Sequence, residues 1–125
     1  MAKKILVVDD EPDILDLATF RLENSGYKII NAVDAEMALA ILQKDTPDLI
    51  LLDLLLPKMQ GDELCKKLKS DEKYKNIPII LFTASAIRPS LPEEMKKIGA
   101  DDCILKPFEP EELLGKVKKF IGLPI

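Results

Sequence analysis

Asp9, Asp10, Asp53, Thr83 and Lys106 each stand directly behind a short apolar run: Ile5–Val8 ends at Asp9-Asp10, Leu49–Leu52 at Asp53, Ile79–Phe82 at Thr83, and Cys103–Leu105 at Lys106. Runs of about 4–5 β-branched and leucine residues suit strands buried on both faces of a parallel sheet. In such a sheet ligands bind outside the carboxyl ends of the strands, where these polar residues would gather. Three carboxylates, one hydroxyl and one ammonium in one place suit a divalent cation and a phosphoryl group. Crowded carboxylates near neutral pH must bind cations or take up protons. With no His or Cys beside them they favour a hard ion, magnesium with manganese as the alternative, over zinc. Asp9 and Asp10 are neighbours whose side chains would point opposite ways within a strand. They can share a site only where the strand ends, and it ends there.

Phosphoryl transfer needs mostly positioning and charge neutralisation. Lys106 offers a point charge for a carboxylate or phosphoryl oxygen, and Thr83 a hydroxyl donor. Asp53, flanked by the other groups and ionised at neutral pH, is the natural acceptor, and its product would be an aspartyl phosphate. The chain has no histidine, so it lacks the commonest general base and cannot itself carry a phosphohistidine.

The elements that would position these residues follow one rhythm. Glu11-Pro12 opens a helix after the first strand, with Ile14, Leu15, Ala18 and Leu22 inward, and Asn24-Ser25-Gly26 closes it through a left-handed glycine. Tyr27–Ala32 reads as the second strand, and Asp34 caps a second helix with Met37, Ala38, Ile41 and Leu42 as its apolar face. The third strand ends at Asp53; Leu54-Leu55-Leu56 follow, some of them packing inward while the chain turns at Pro57 and Gly61, ahead of a helix carrying Leu64 and Leu68. Pro89 and Pro92 bracket a loop before a short fourth helix with Met95 and Ile98 inward. Asp101–Leu105 makes the fifth strand, and Pro110 begins a last helix with Leu113, Leu114, Val117 and Ile121 buried. A strand followed by a helix, five times over, predicts an α/β doubly wound five-stranded parallel sheet. The functional residues fall on strands one, three, four and five, so those should be neighbours, giving the order 2-1-3-4-5 of a flavodoxin-like fold.

The 125 residues are the size of one domain, 1–125, and 47% hydrophobic with 32% charged residues is ordinary for a globular chain. No apolar run approaches the roughly 20 residues of a membrane span, and the basic-then-apolar start is cut short by Asp9-Asp10, so no signal peptide and a cytoplasmic location are expected. A net charge of −4 argues against direct nucleic-acid binding. The lysines at 66, 67, 69, 96, 97, 116, 118 and 119 are interleaved with acids and read as solvated helix faces. Cys65 and Cys103 match no metal spacing and read as reduced and structural.

Asp9-Asp10, Asp53 with Pro57 and Gly61 behind it, Thr83-Ala84, Gly99-Ala100-Asp101-Asp102 and Lys106-Pro107-Phe108 together resemble the receiver domain of two-component response regulators, along the whole chain. The resemblance implies a signalling domain rather than an enzyme, one that assists its own phosphorylation and dephosphorylation. In it Asp53 accepts phosphate from a histidine kinase or phosphotransfer protein. Asp10 ligates magnesium directly, Asp9 supports it through water, and Asp53 and the Leu55 carbonyl complete the set. Thr83 is the switch hydroxyl, Lys106 the counter-charge, and the backbone amides of Leu54 and Ala84 hold phosphoryl oxygens. The resemblance also implies a cis Lys106-Pro107 bond, and a downstream protein bound on the face of the fourth helix, fifth strand and fifth helix. With nothing after Ile125, the sequence resembles a stand-alone chemotaxis-type receiver or the excised receiver of a longer protein.

Two positions depart from the family pattern. Cys103 stands where an aromatic usually accompanies the switch, and Gln60 where Asp is frequent. Leu55 and Ser85 occupy the positions that tune phosphoryl lifetime, and apolar Leu55 offers nothing to position an attacking water, which predicts a long-lived phosphoryl group. The main rival is a degenerate receiver acting as a phosphorylation-independent interaction module. A haloacid-dehalogenase-type hydrolase would need an acid where Leu55 stands, and a dinucleotide-binding domain a glycine-rich turn where Asp-Asp-Glu-Pro stands. Asp101-Asp102 read as a solvated strand entrance, and Glu11 as serving the helix end rather than the metal.

Overall fold

The apolar runs form strands, and their alternation sorts the core into two layers. In the computed structural model, which describes residues 2–56, 59–84 and 91–125, β1 (Lys4–Val8), β2 (Lys28–Ala32), β3 (Leu49–Asp53), β4 (Ile79–Ala84) and β5 (Asp102–Lys106) build one parallel sheet ordered β2-β1-β3-β4-β5. The helices α1 (Pro12–Asn24), α2 (Ala35–Lys44), α3 (Gly61–Lys69), α4 (Leu91–Ile98) and α5 (Pro110–Ile121) follow the strands in turn. Leu6, Val8, Ile50 and Leu52 pack with α2, α3 and α4, while Ile5, Val7, Leu49 and Leu51 pack with α1 and α5 on the opposite face. The expected doubly wound α/β class and strand order are what the chain adopts. Among the described residues no helix is long and apolar enough to cross a membrane.

Register brings the polar strand ends to one rim. Val8 pairs with Leu52, Asp53 with Phe82, Thr83 with Leu105 and Ala84 with Lys106. A parallel sheet holds such residues level because its ladder is evenly spaced.

Several local features differ from those the sequence predicts. On α2, Asp34 does cap the helix, accepting from the Met37 amide at 2.7 Å. The buried stripe is Ala35, Ala38 and Leu42, and Met37 is exposed, so the inward face is turned by about one residue from the expected one. Pro92 lies within α4 rather than in the loop before it, at a first-turn position where a missing N–H is no loss. Pro57, Ser85 and Pro89 lie outside the described residues. Beyond Asp53 the strand alternation persists: Leu54 and Leu56 are buried and Leu55 is 55% exposed. Gly26 has φ +103, the left-handed end expected for α1.

Asp101 and Asp102 are not merely solvated. Asp101 Oδ2 accepts from the Ile79 amide and from Lys69 Nζ, both at 2.8 Å. Asp102 Oδ1 accepts from Lys116 Nζ at 3.1 Å, and the same ammonium donates to the Cys103 carbonyl at 2.7 Å. Lys69 and Lys116 are therefore tied into the fold rather than lying on solvated faces. Both cysteines are free thiols. Cys65 is buried 3.6 Å from the Ile98 carbonyl, and burial pushes its pKa up to about 11, which leaves it unreactive.

Candidate functional site

Asp9 follows the last residue of β1, its amide held by the Ala32 carbonyl at 3.0 Å. Its carboxylate is fully buried and spans two partners: Oδ1 accepts from the Glu11 amide at 3.0 Å, and Oδ2 accepts from Lys106 Nζ at 2.8 Å. Asp53, the last residue of β3, is 4% exposed. Its Oδ1 accepts from the Leu55 amide at 3.1 Å and its Oδ2 lies 3.4 Å from Lys106 Nζ. Asp10 is exposed beside them. An open pocket of about 330 Å³ is lined by Asp10, Glu11, Asp53, Leu55 and Lys106. The structure thus brings together Asp9, Asp10, Asp53, Leu55 and Lys106 as expected. Thr83 and Ala84 are placed by their backbone at the end of β4, on the same rim; the Thr83 hydroxyl lies outside the described part of the structure.

Three details differ from the sequence reading or extend it. The Leu54 amide donates to the Phe82 carbonyl at 3.2 Å, and the amide that reaches Asp53 is that of Leu55. Glu11 is the N-cap residue of α1 by backbone, yet its side chain makes no cap hydrogen bond. Its Oε1 instead accepts from Lys106 Nζ at 3.2 Å, so Glu11 belongs to the site. The signal lay in its place one residue beyond the acid pair, which an acid-at-the-helix-start reading absorbed.

The third detail is the support behind Lys106. The Lys106-Pro107 bond is cis, as expected. Phe108 then stacks on buried Phe82, ring centroids 5.4 Å apart at 17°. Against the backbone of the acceptor, Gly61 donates its amide to the Leu54 carbonyl at 3.0 Å. A Cβ there would fall 2.8 Å from Leu54 Cα and closer still to the Asp53 carbonyl oxygen, so only glycine lets α3 start this near the acceptor.

Electrostatics follows from these contacts. Burial, reinforced by the neighbouring Asp9 charge, pushes the Asp53 pKa up to about 6, while the Leu55 amide and Lys106 pull against the rise. Burial works against the Lys106 charge too, but the Asp9 hydrogen bond and the Asp53 charge outweigh it, and its pKa sits above the ordinary lysine value. Asp9, Asp10, Glu11 and Asp53 each offer an oxygen within 4.8 Å of the others. Among the described residues a single ammonium serves this group, and an all-oxygen donor set with surplus negative charge fits magnesium or manganese. The acidic cluster can hold a metal ion.

The Response regulator receiver domain model matches residues 5–118. The alkaline phosphatase synthesis transcriptional regulatory protein PhoP of Bacillus subtilis is 44% identical over 97% of this chain and 49% of its own length. The phosphate regulon transcriptional regulatory protein PhoB of Pseudomonas aeruginosa is 42% identical over 94% of this chain and 51% of its own. This chain therefore spans about half the length of the curated relatives it matches. Among solved structures, the chemotaxis protein CheY4 of Vibrio cholerae superposes with a TM-score of 0.89 at 34% identity, covering 96% of this chain and 99% of that one. A response regulator described as putative, from Chloroflexus aurantiacus, gives 0.92 at 33% identity over 97% and 98%. With the family match spanning the strand ends that carry Asp9, Asp53, Thr83 and Lys106, the chain belongs to the response regulator receiver domain family of two-component signalling.

Proposed function

We propose that residues 1–125 form one receiver domain that accepts a phosphoryl group on Asp53, from the phosphohistidine of a sensor kinase or phosphotransfer protein, in a magnesium-dependent reaction. The observation that carries this reading is the buried Asp53 carboxylate at the floor of an open pocket, with Lys106 Nζ 3.4 Å away and an acidic cluster beside it. Asp9, Asp10, Asp53 and the Leu55 carbonyl would hold the ion. Bound there, magnesium supplies positive charge to the oxygens of the incoming phosphoryl group. Asp53 presents its oxygen to phosphorus, and the bond from phosphorus to the donor nitrogen breaks as the new bond forms. Lys106 then moves its hydrogen bond to a phosphoryl oxygen, joined by the amides of Leu55 and Ala84. The Leu55 amide already donates to Asp53 Oδ1 at 3.1 Å, beside the Leu54 amide to which the resemblance gives a phosphoryl oxygen.

Thr83 is the hydroxyl drawn toward the phosphoryl group, and the response spreads to the face formed by α4, β5 and α5, where a downstream protein docks. Cys103, on β5, lacks the bulk of the family's usual aromatic, so Thr83 carries the switch alone. The exposed Leu55 side chain at the pocket positions no water, which supports a long-lived phosphoryl group. The domain works in the cytoplasm, where its kinase and magnesium are found. Acetyl phosphate labelling with magnesium tests the assignment: the wild type is labelled and Asp53→Ala, still folded, is not. Labelling of Asp53→Ala would overturn the assignment of the acceptor, and no beryllofluoride binding, or equal binding by wild type and Asp53→Asn, would favour a phosphorylation-independent interaction module instead.

A further inference from the structure

The Glu11 side chain makes no cap hydrogen bond, and its carboxylate lines the pocket. Its side chain is 60% exposed, against 13% for Lys106 and 6% for Asp53, while Oε1 lies 3.2 Å from Lys106 Nζ. These exposures order the groups outward: Asp53 at the floor, Lys106 above it, Glu11 at the mouth. Phosphoryl transfer runs roughly in line, with the leaving atom opposite the attacking oxygen. An attack from the floor therefore points the leaving group outward, toward Glu11 and the exposed Leu55.

We propose that Glu11 is a specificity-determining residue that favours phosphodonors with a protonated nitrogen leaving group over donors with an anionic oxygen leaving group. The inference rests on the phosphoacceptor reading of Asp53. A donor whose phosphorus is bonded to a protonated nitrogen places a positive charge next to the Glu11 carboxylate. When that bond breaks, nitrogen keeps the electron pair and leaves neutral, and Asp53 gains the phosphoryl group. An acyl phosphate expels a carboxylate, whose oxygen keeps the electron pair and gathers negative charge as it departs, against Glu11. The same charge thus attracts one class of donor and repels the other.

Phosphoramidate and acetyl phosphate separate the two classes with small probes. At pH 7 both carry the same phosphoryl dianion, but phosphoramidate bears an ammonium and leaves ammonia, whereas acetyl phosphate leaves acetate. Rates of Asp53 phosphorylation are measured with each donor in saturating magnesium, for wild type, Glu11→Gln and Glu11→Asp. The Gln variant should be labelled about threefold faster by acetyl phosphate and about threefold slower by phosphoramidate, and the divergence should shrink as salt is raised. Glu11→Asp, which keeps the charge, should restore the wild-type ratio. If the Gln substitution changes both rates by one common factor, or neither, Glu11 acts through alignment of Lys106 or not at all and the inference is overturned. A wild type labelled by neither donor would overturn the phosphoacceptor reading instead.

Discussion

Lys106 bonds to Asp9 at 2.8 Å, a shorter contact than its 3.4 Å approach to Asp53. In the resting site the ammonium chiefly compensates a fully buried carboxylate, and only secondarily touches the acceptor. Removing one partner of a buried pair strands the other, at a cost of about 3 kcal/mol. Lys106→Ala should therefore lose about that much stability in EDTA-containing buffer and regain much of it on adding magnesium, which replaces the lost positive charge. Urea unfolding with and without magnesium checks this; equal loss in both conditions would show that Asp9 does not depend on a cation.

Asp53 carries a pH signature. Its pKa rises from 3.8 to about 6 on folding, so between these values the native state binds protons that the unfolded chain does not. Stability from this group is therefore highest below 3.8, falls through the window and stays low above about 6. Asp53→Asn should be more stable than wild type at neutral pH without metal, by at most about 3 kcal/mol at about 1.4 kcal/mol per pKa unit. The gain should fade as pH drops through the same window. Magnesium should narrow the gap by stabilising the ionised wild type, and unfolding curves at several pH values with EDTA or magnesium read all of this.

The start of α3 is set by Gly61, whose absent side chain leaves room for the Asp53 and Leu54 backbone. Gly61→Ala forces Cβ into backbone atoms that cannot rotate away, so the turn must shift. The expected loss is about 2 kcal/mol, at the middle of the overpacking range. Because the displaced residues are the acceptor and its neighbour, magnesium affinity should fall as well. Isothermal titration of magnesium alongside urea unfolding separates the two effects.

The strand ends were legible because buried parallel strands have an unmistakable composition, and a change from Leu52 to Asp53 or Phe82 to Thr83 marks where the sheet stops. Helix faces were less so: Met37 and Ala35 lie on one short helix, and the larger side chain suggested the inward face although the close approach of α2 to the sheet favoured alanine. The contacts of Glu11 and Leu54 were hidden for a different reason. Whether a carboxylate turns to its own helix end or to Lys106, and whether an amide is taken by Phe82, depends on partners dozens of residues away. Spacing along the chain carries no such information.

Asp101 shows the same dependence on distant partners, and it yields the last prediction. One carboxylate oxygen joins the Ile79 amide at the start of β4 to the Lys69 ammonium at the end of α3, and Lys69 also donates to the Ile77 carbonyl at 2.9 Å. Asp101→Ala leaves the Ile79 amide without its acceptor and the Lys69 ammonium with backbone carbonyls but no charge partner, and an unpaired buried donor costs about 1–3 kcal/mol. Asp101→Asn keeps an acceptor for the amide but loses the ion pair, so it should fall between wild type and Ala. The contact lies at the entry ends of the strands, opposite the Asp53 rim. Both variants should therefore lower the urea midpoint while leaving magnesium affinity and acetyl phosphate labelling at wild-type levels under native conditions. A drop in labelling that exceeds the unfolded fraction would instead tie this staple to the site.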